Sequence, residues 1–346
     1  MQLACPTTDY ADSDRITLAH GEGGRLTRRL IQERILPRLT NGLLAPLGDA
    51  AMLPRSEQGL AFTADSFVVS PLFFPGGDIG AMAVFGAVND LAVAGAQPRW
   101  LSLSFILEEG LPLATFDAVL ESIAAAAARV GVAIVTGDTK VVPRGAADGM
   151  FVQTSGIGEL IEPVPPGPAA IVPGDELIVS GPIGRHGIAV LAAREQLDLE
   201  PPPRSDCGPL LAAVGALRQA GVQVRALRDA TRGGVAAVLH EWAAACGYTL
   251  TIEDRRIPVS PEVRGACELL GLDPLHVANE GTMLVAVAQG ESEKALAALS
   301  QLRETSAAAA IGAAISAERA AVLVKRALDR YQALAEPLGA PLPRIC

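Results

Sequence analysis

The 346 residues suffice for two domains, and 50% hydrophobic content supplies a core for each. A formal charge of −10 without any lysine or arginine run argues against a nucleic-acid surface or an anionic membrane as partner. Five scattered cysteines, odd in number and lacking a Cys-x-x-Cys pair, argue against a disulfide framework and a thiolate zinc site.

Residues 1–20 carry Asp9, Asp12 and Asp14 and no apolar run, so no signal peptide is read there and the cytoplasm is the expected compartment. His20-Gly21-Glu22-Gly23-Gly24 is a glycine-rich loop ahead of a helical pattern starting near Leu26, and together they make an arm over residues 1–40. Stretches 60–69 and 99–107 read as strands enclosing a small-residue helix from about 78 to 94. A helix over 112–130 and strands 132–135 and 150–160 complete a domain spanning 41–161. The alanine run 124–128, flanked by Glu121 and Arg129, is too short to span a bilayer. Prolines from Pro163 to Pro168 favour an extended linker over 162–174.

The second domain, 175–335, opens with a strand at 176–180. Helices near 188–194, 209–220 and 233–246, strands 249–252 and 282–288, and a final helix over 318–334 are expected. The fold class is therefore α+β, with mixed α/β layers in two domains meeting over a cleft. Residues 336–346 form a tail in which Pro337, Pro341 and Pro343 disfavour helix. At about 3.1 Å per residue in polyproline II, ten residues span roughly 30 Å, enough for a mobile tail to bring the Cys346 thiol into a cleft.

Aspartates recur in five short motifs: Gly48-Asp49-Ala50, Ala64-Asp65-Ser66, Asn89-Asp90, Gly137-Asp138-Thr139-Lys140 and Arg228-Asp229-Ala230-Thr231-Arg232-Gly233-Gly234. Each reads as a turn or element end, where aspartate also serves as a cap. If several converge, they make an oxygen-rich site for Mg²⁺, which prefers carboxylates plus substrate phosphates, and ATP becomes the natural ligand. In that arrangement Gly21, Gly23 and Gly24 offer backbone N–H groups, and Thr231-Arg232-Gly233-Gly234 offers a helix N-terminus with a guanidinium.

As a set, the segment from Asp65 to Gly80, Asn89-Asp90, Gly137-Asp138-Thr139-Lys140-Val141-Val142, Asp229-Ala230-Thr231-Arg232-Gly233-Gly234, Ala278-Asn279-Glu280-Gly281 and Pro343-Arg344-Ile345-Cys346 resemble the HypE family of hydrogenase maturation factors. The resemblance spans nearly the whole chain. It implies the PurM-like fold of the aminoimidazole ribonucleotide synthetase superfamily, with N-terminal domains pairing in a homodimer through a shared sheet or barrel and a C-terminal α/β sandwich. It also implies ATP-dependent dehydration of a carbamoyl group on Cys346 to a thiocyanate, the source of cyanide ligands for the iron of nickel–iron hydrogenase. A HypF carbamoyltransferase would load Cys346, and a HypC–HypD complex would accept the cyanide.

By the same resemblance, ATP is expected on Gly21, Gly23, Gly24, Asp49, Asp65, Asn89, Asp90, Gly137, Asp138, Thr139, Asp229, Thr231, Arg232, Gly233 and Gly234, with Mg²⁺ on Asp49, Asp65, Asp90 and Asp138. Glu280 is expected to act as an ionised base and Lys140 as an orienter or phosphate contact. Sister synthetases and kinases of the superfamily share the glycine and aspartate motifs but are not expected to carry Pro-Arg-Ile-Cys. A small-molecule synthetase or kinase and a nonenzymatic cysteine carrier are the alternatives, and activity after truncation at Glu336 separates them.

Overall fold

The computed structural model describes residues 14–21, 25–47, 50–317, 321–326 and 330–337. Gly23, Gly24, Asp49 and the tail with Cys346 lie outside the described residues. A short arm, α1 (Arg25–Leu30), a π-helical turn (Ile31–Ile35) and α2 (Leu36–Leu39), precedes the first sheet. That sheet is built from β1 (Leu60–Phe67), β4 (Ala96–Glu108), β5 (Ala133–Val142) and β6 (Met150–Leu160) in the order β1-β6-β4-β5, with a small hairpin of β2 (Phe73–Phe74) and β3 (Gly77–Asp78) between β1 and β4 in the chain. Helices α3 (Ile79–Val93) and α4 (Leu113–Val130) accompany it.

Helix α3 begins where the Asp78 carboxylate accepts the N–H groups of Gly80 and Ala81 at 2.8 and 3.0 Å, satisfying two orphan donors of the first turn. It is apolar nearly all round, because it packs against β1, β6 and α4 and also against the strand Val224–Asp229 and the helix Leu211–Gln219 of the second domain. Two short residues, Gly80 and Gly86, let Val119 and Phe67 approach its backbone.

The second domain holds a seven-stranded sheet in the order β13-β12-β9-β11-β7-β10-β8. Its strands are β7 (Glu176–Val179), β8 (Val224–Asp229), β9 (Thr249–Glu253), β10 (Met283–Val287), β11 (Ala309–Ile315), β12 (Ala321–Lys325) and β13 (Tyr331–Ala333). Helices α5 (Arg185–Arg194), α6 (Leu211–Gln219), α7 (Gly234–Cys246), α8 (Pro261–Leu270) and α9 (Ser292–Leu299) complete it. Strand alternation divides the core: Leu177 and Val179 pack with α7, while Ile178 joins Val285, Ala295 and Leu299 on the other face.

The helix expected over 318–334 is replaced by two strands. Val322 and Val324 are each 1% exposed while their neighbours are partly open, a period of two, and β12 pairs in parallel with β9. The alanine-rich composition favours helix locally, but the open edge of β9 supplies the partner that overrides it. Strands β8 and β11 and helices α8 and α9 were not read from the sequence. Alanine and glycine in β11 and the arginines in β8 give weak strand signals, and pairing on both flanks compensates. The described motif aspartates lie inside elements as well as at their ends: Asp65 is near the end of β1, Asp90 in the last turn of α3 and Asp138 within β5, while Asp229 closes β8. Among the described residues no helix is long and apolar enough to cross a membrane.

Candidate active site

Four carboxyls meet where the two domains touch: Asp65 from β1, Asp90 from α3, Asp229 from the end of β8, and Glu280 from the loop before β10. Thr63 donates its hydroxyl to Asp90 at 2.6 Å, fixing that carboxylate against β1. Asp229 and Glu280 are buried, at 7% and 4% exposure. Burial, reinforced by Asp90, pushes Asp65 above the ordinary aspartate range. Asp229 is pushed up to about 7, by burial first and then by Asp90, with Arg228 opposing. Glu280 is held well above the usual carboxylate range by burial, Asp229, Asp206 and Asp65, with Arg232 opposing.

The expectation of an ionised Glu280 therefore needs correction: in the ligand-free protein it retains its proton at pH values where a free glutamate has lost it. The physical source is crowding of like charges in a space closed to water. Such a site favours either bound protons or a bound cation. Among the described residues no three histidine, cysteine or acidic side chains stand close enough to hold a metal by themselves. Carboxylates that share a cation with substrate phosphates do not need to.

The crowding has a measurable cost. Because Asp229 binds a proton more tightly in the folded chain than in the unfolded one, its contribution to stability is complete below the ordinary aspartate pKa and is lost as pH rises through about 7. Asp229→Asn is expected to stabilise the ligand-free protein at pH 8 by up to about 4 kcal/mol, and by little at pH 4. Thermal melts at both pH values test this, and a pH-independent difference would reject it.

The rim of the site is the start of α7. Gly233 and Gly234 have φ of +77° and +62°, and a Cβ on Gly234 would lie 2.6 Å from the carbonyl oxygens of Leu275 and Val277. This turn leaves Arg232 exposed next to the helix N-terminus. The last described residues pass the same rim: the Ala335 carbonyl accepts from His276 Nε2 at 3.0 Å, and Pro337 packs beside Gly233. Ala335 and Pro337 thus lie beside the turn that carries Arg232.

Asn89 has a different place from the one expected. It is 1% exposed, and its amide donates to the carbonyls of Gly208 and Glu280 at 3.1 and 3.2 Å while its oxygen accepts from Leu210 N–H at 2.7 Å. Its hydrogen-bonding groups hold backbone from the second domain. Asn279, fully buried, does the same for the Asp229 end of β8, donating to Ala230 O at 2.8 Å and accepting from Gly184 N–H at 2.7 Å.

The remaining expected residues form a second group. Gly137, Asp138, Thr139 and Lys140 lie on β5, and Gly21 packs against Val141 of the same strand. Lys140 pairs with Asp138 at 2.9 Å, and this hydrogen bond is the first cause of a lowered Asp138 pKa. Gly137 and Thr139 line an apolar cavity with Ile31, Leu36, Leu39 and Ile134. This group is three strand spacings from Asp65, about 14 Å in a sheet. Asp65 shares a row with Thr154, Leu103 and Gly137, so Asp138, one residue on, faces the opposite side. Within one chain Lys140 and Glu280 do not meet. Sequence reasoning also passed over Asp206, in Ser205-Asp206-Cys207-Gly208, a segment without periodicity or motif, which contacts the Glu280 loop directly.

Two domains of this construction, joined across a carboxyl-lined cleft, are those of the AIR synthase related proteins: the N-terminal domain model matches residues 47–160 and the C-terminal one residues 172–325. Within that class the similarity is narrower. The chain is 47% identical to carbamoyl dehydratase HypE of Escherichia coli K12 over 342 residues, covering 96% of this chain and 100% of that protein. It is 45% identical to carbamoyl dehydratase HypE of Rhodobacter capsulatus, covering 96% and 98%. A crystal structure of hydrogenase maturation protein HypE in complex with ATP superposes with a TM-score of 0.91 at 42% identity, covering 95% and 99% of the two chains. A HypE–HypF complex gives a TM-score of 0.78 at 40% identity, covering 89% and 99%. The chain belongs to the HypE family.

Proposed function

We propose that this protein is an ATP-dependent carbamoyl dehydratase that converts an S-carbamoyl group on its own Cys346 into a thiocyanate. The observation that carries the reading is end-to-end similarity to carbamoyl dehydratases in a chain that has Pro-Arg-Ile-Cys at 343–346. An amide oxygen is a poor leaving group. Transfer of the γ-phosphoryl group of ATP to that oxygen releases ADP, and the oxygen then departs as phosphate. The nitrogen gives up two protons, and its electron pairs close the C≡N bond.

The residues of the domain junction suit those needs. Glu280, drawn from an environment that raises its basicity, takes a nitrogen proton once it is ionised, and Asp229, poised near 7, stands beside it to share protons. Arg232 and the N-terminus of α7 face phosphate oxygens. Asp65 and Asp90 are the described residues that would hold Mg²⁺, which would neutralise phosphate charge and favour the ionised form of the neighbouring carboxyls. The arm that carries Cys346 makes the encounter intramolecular.

Lys140 and Asp138 enter through a second copy of the chain. The sheet face away from α3 carries Phe62, Trp100, Ile106, Phe151 and Ile157, with Phe62 70% and Ile106 41% exposed. Both outer strands, β1 and β5, lack a further partner among the described strands. Such a face and such edges suit a homodimer with a shared sheet or barrel. The same face carries Asp138 and Lys140, so pairing brings them into the interface to complete the other copy's site, Lys140 as phosphate contact. A HypF carbamoyltransferase is the upstream partner, consistent with the HypE–HypF complex, and a HypC–HypD complex is the downstream acceptor.

Mass spectra of the tail peptide, after incubation with the carbamoyltransferase, carbamoyl phosphate and ATP with and without magnesium, test the reading. Carbamoyl addition at Cys346 followed by loss of one water, only with ATP and Mg²⁺, is expected. A carbamoylated tail that never loses water would support a carrier, and an unmodified tail a synthetase or kinase.

A further inference from the structure

Asp206 belongs to none of the glycine and aspartate motifs, yet its carboxylate is engaged inside the site. Oδ1 accepts from the Glu280 N–H at 3.1 Å, and Oδ2 accepts from the Gly281 N–H at 3.0 Å and the Thr282 hydroxyl at 2.8 Å. One carboxylate therefore grips three consecutive residues beginning at Glu280. Three of its roughly four acceptor positions are filled, which turns it toward the loop and away from any ligand. On the other side of the same residue, Asn89 takes the Glu280 carbonyl at 3.2 Å. Gly281 completes the fit, because a Cβ there would overlap the Asp206 carbonyl oxygen.

The grip itself is anchored. Ser205 N–H donates to Pro75 O at 2.8 Å, Ser205 Oγ lies 2.9 Å from His186 Nδ1 and accepts from Cys207 N–H at 3.0 Å, and Gly208 O accepts from Asn89 at 3.1 Å. Pro75 and Asn89 belong to the first domain, so the position of Glu280 is referenced across the domain junction to the helix that carries Asp90. Asp206 also contributes to the field around Glu280, after burial and Asp229.

Building on the reading of Glu280 as the proton acceptor, we propose that Asp206 is the positioning residue that holds the Glu280 backbone so that its carboxyl meets the carbamoyl nitrogen. Asp206 acts through Glu280 and touches neither substrate nor phosphate. A shift of the acceptor by about 1 Å lowers such a step by roughly 100-fold, which sets the scale of the effect.

The test is single-turnover water loss from the carbamoylated full-length chain. Asp206→Asn turns one acceptor into a donor facing a donor, so at least one of the three bonds is lost. Its rate is expected to fall about 10- to 100-fold with the KM for ATP within about twofold of wild type. Thr282→Val removes the hydroxyl, with its 2.8 Å bond to Asp206 and its 3.5 Å contact to Pro182 O, and keeps both N–H grips, giving a smaller loss of about two- to fivefold. A folded Asp206→Asn chain within about twofold of the wild-type rate overturns the proposal, as does a rate loss matched by an equal rise in KM for ATP. Should Asp206→Asn not fold, an unchanged rate in Thr282→Val overturns it instead. Glu280→Gln run alongside keeps the two ideas apart: full activity there defeats the role of Glu280, whereas an inactive Glu280→Gln beside a fully active Asp206→Asn defeats only the role of Asp206.

Discussion

Cys346→Ala is expected to abolish thiocyanate formation completely while leaving ATP binding, read as the ATP-induced rise in thermal midpoint, at the wild-type value. The reason is that no described thiol can take its place. Burial pushes the Cys207 thiol up, aided by Glu280 and Asp206, and burial pushes Cys267 up to about 11. A thiol held in its neutral form is a poor nucleophile toward a carbamoyl donor. Cys246 is partly buried at the end of α7, with its sulfur accepting from Tyr248 N–H at 3.5 Å. Among the described cysteines none is placed to accept the carbamoyl group in place of Cys346. Intact-mass measurement after loading settles the matter: thiocyanate formed on a Cys346→Ala chain, or a carbamoyl mass on Cys207 or Cys267, would sink the model.

Glu280→Gln is expected to lower the rate of water loss by about 10²- to 10⁴-fold, the range for removal of a general base. Its effect on the fold should be small or favourable. Glutamine has the shape and neutrality of the protonated glutamate that burial favours, and its backbone contacts with Asp206 and Asn89 survive. The rate should fall while the ATP-induced thermal shift persists, and the variant should melt no lower than wild type at pH 8. If ATP binding fell in step with the rate, Glu280 would be a nucleotide contact and the proton acceptor would have to be sought in Asp229.

The two substitutions test the carrier and the base separately, and Asp229→Asn adds the stability side of the same cluster. Like charges brought together without water destabilise the resting protein, and a phosphate-bound cation would relieve them. Function here is therefore built on a junction that is less stable than it would be with neutral side chains. A rise in melting temperature on adding ATP with magnesium should accordingly be larger in wild type than in Asp229→Asn.

Much of this was legible in the chain alone. Local signals identified α3 through its small residues, β6 and β1 through their strand pattern, and the second domain's α7 as the helix that follows Gly233 and Gly234. Motifs named the residues that carry charge, because aspartate beside glycine and a cysteine after Pro-Arg-Ile are properties of short segments. Such features depend on neighbours within a few residues, so they survive in the one-dimensional record.

Convergence was beyond its reach. That Asp65, Asp90, Asp229 and Glu280 share one buried space, while Asp138 and Lys140 stand on the far edge of the sheet, depends on strand order and on which face each residue takes. A shift of one residue in register exchanges the two faces, and composition carries no record of it. The raised pKa of Glu280, the use of Asn89 for backbone support and the grip of Asp206 follow from burial and from contacts between segments more than 70 residues apart. The segment 318–334, rich in helix formers such as alanine, leucine, arginine and lysine, became strand at 321–325 because the edge of β9 was there to pair with it. Residue types and short segments are written in the chain; which of them meet follows from packing, since desolvation and charge–charge coupling exist only once distant segments are brought together.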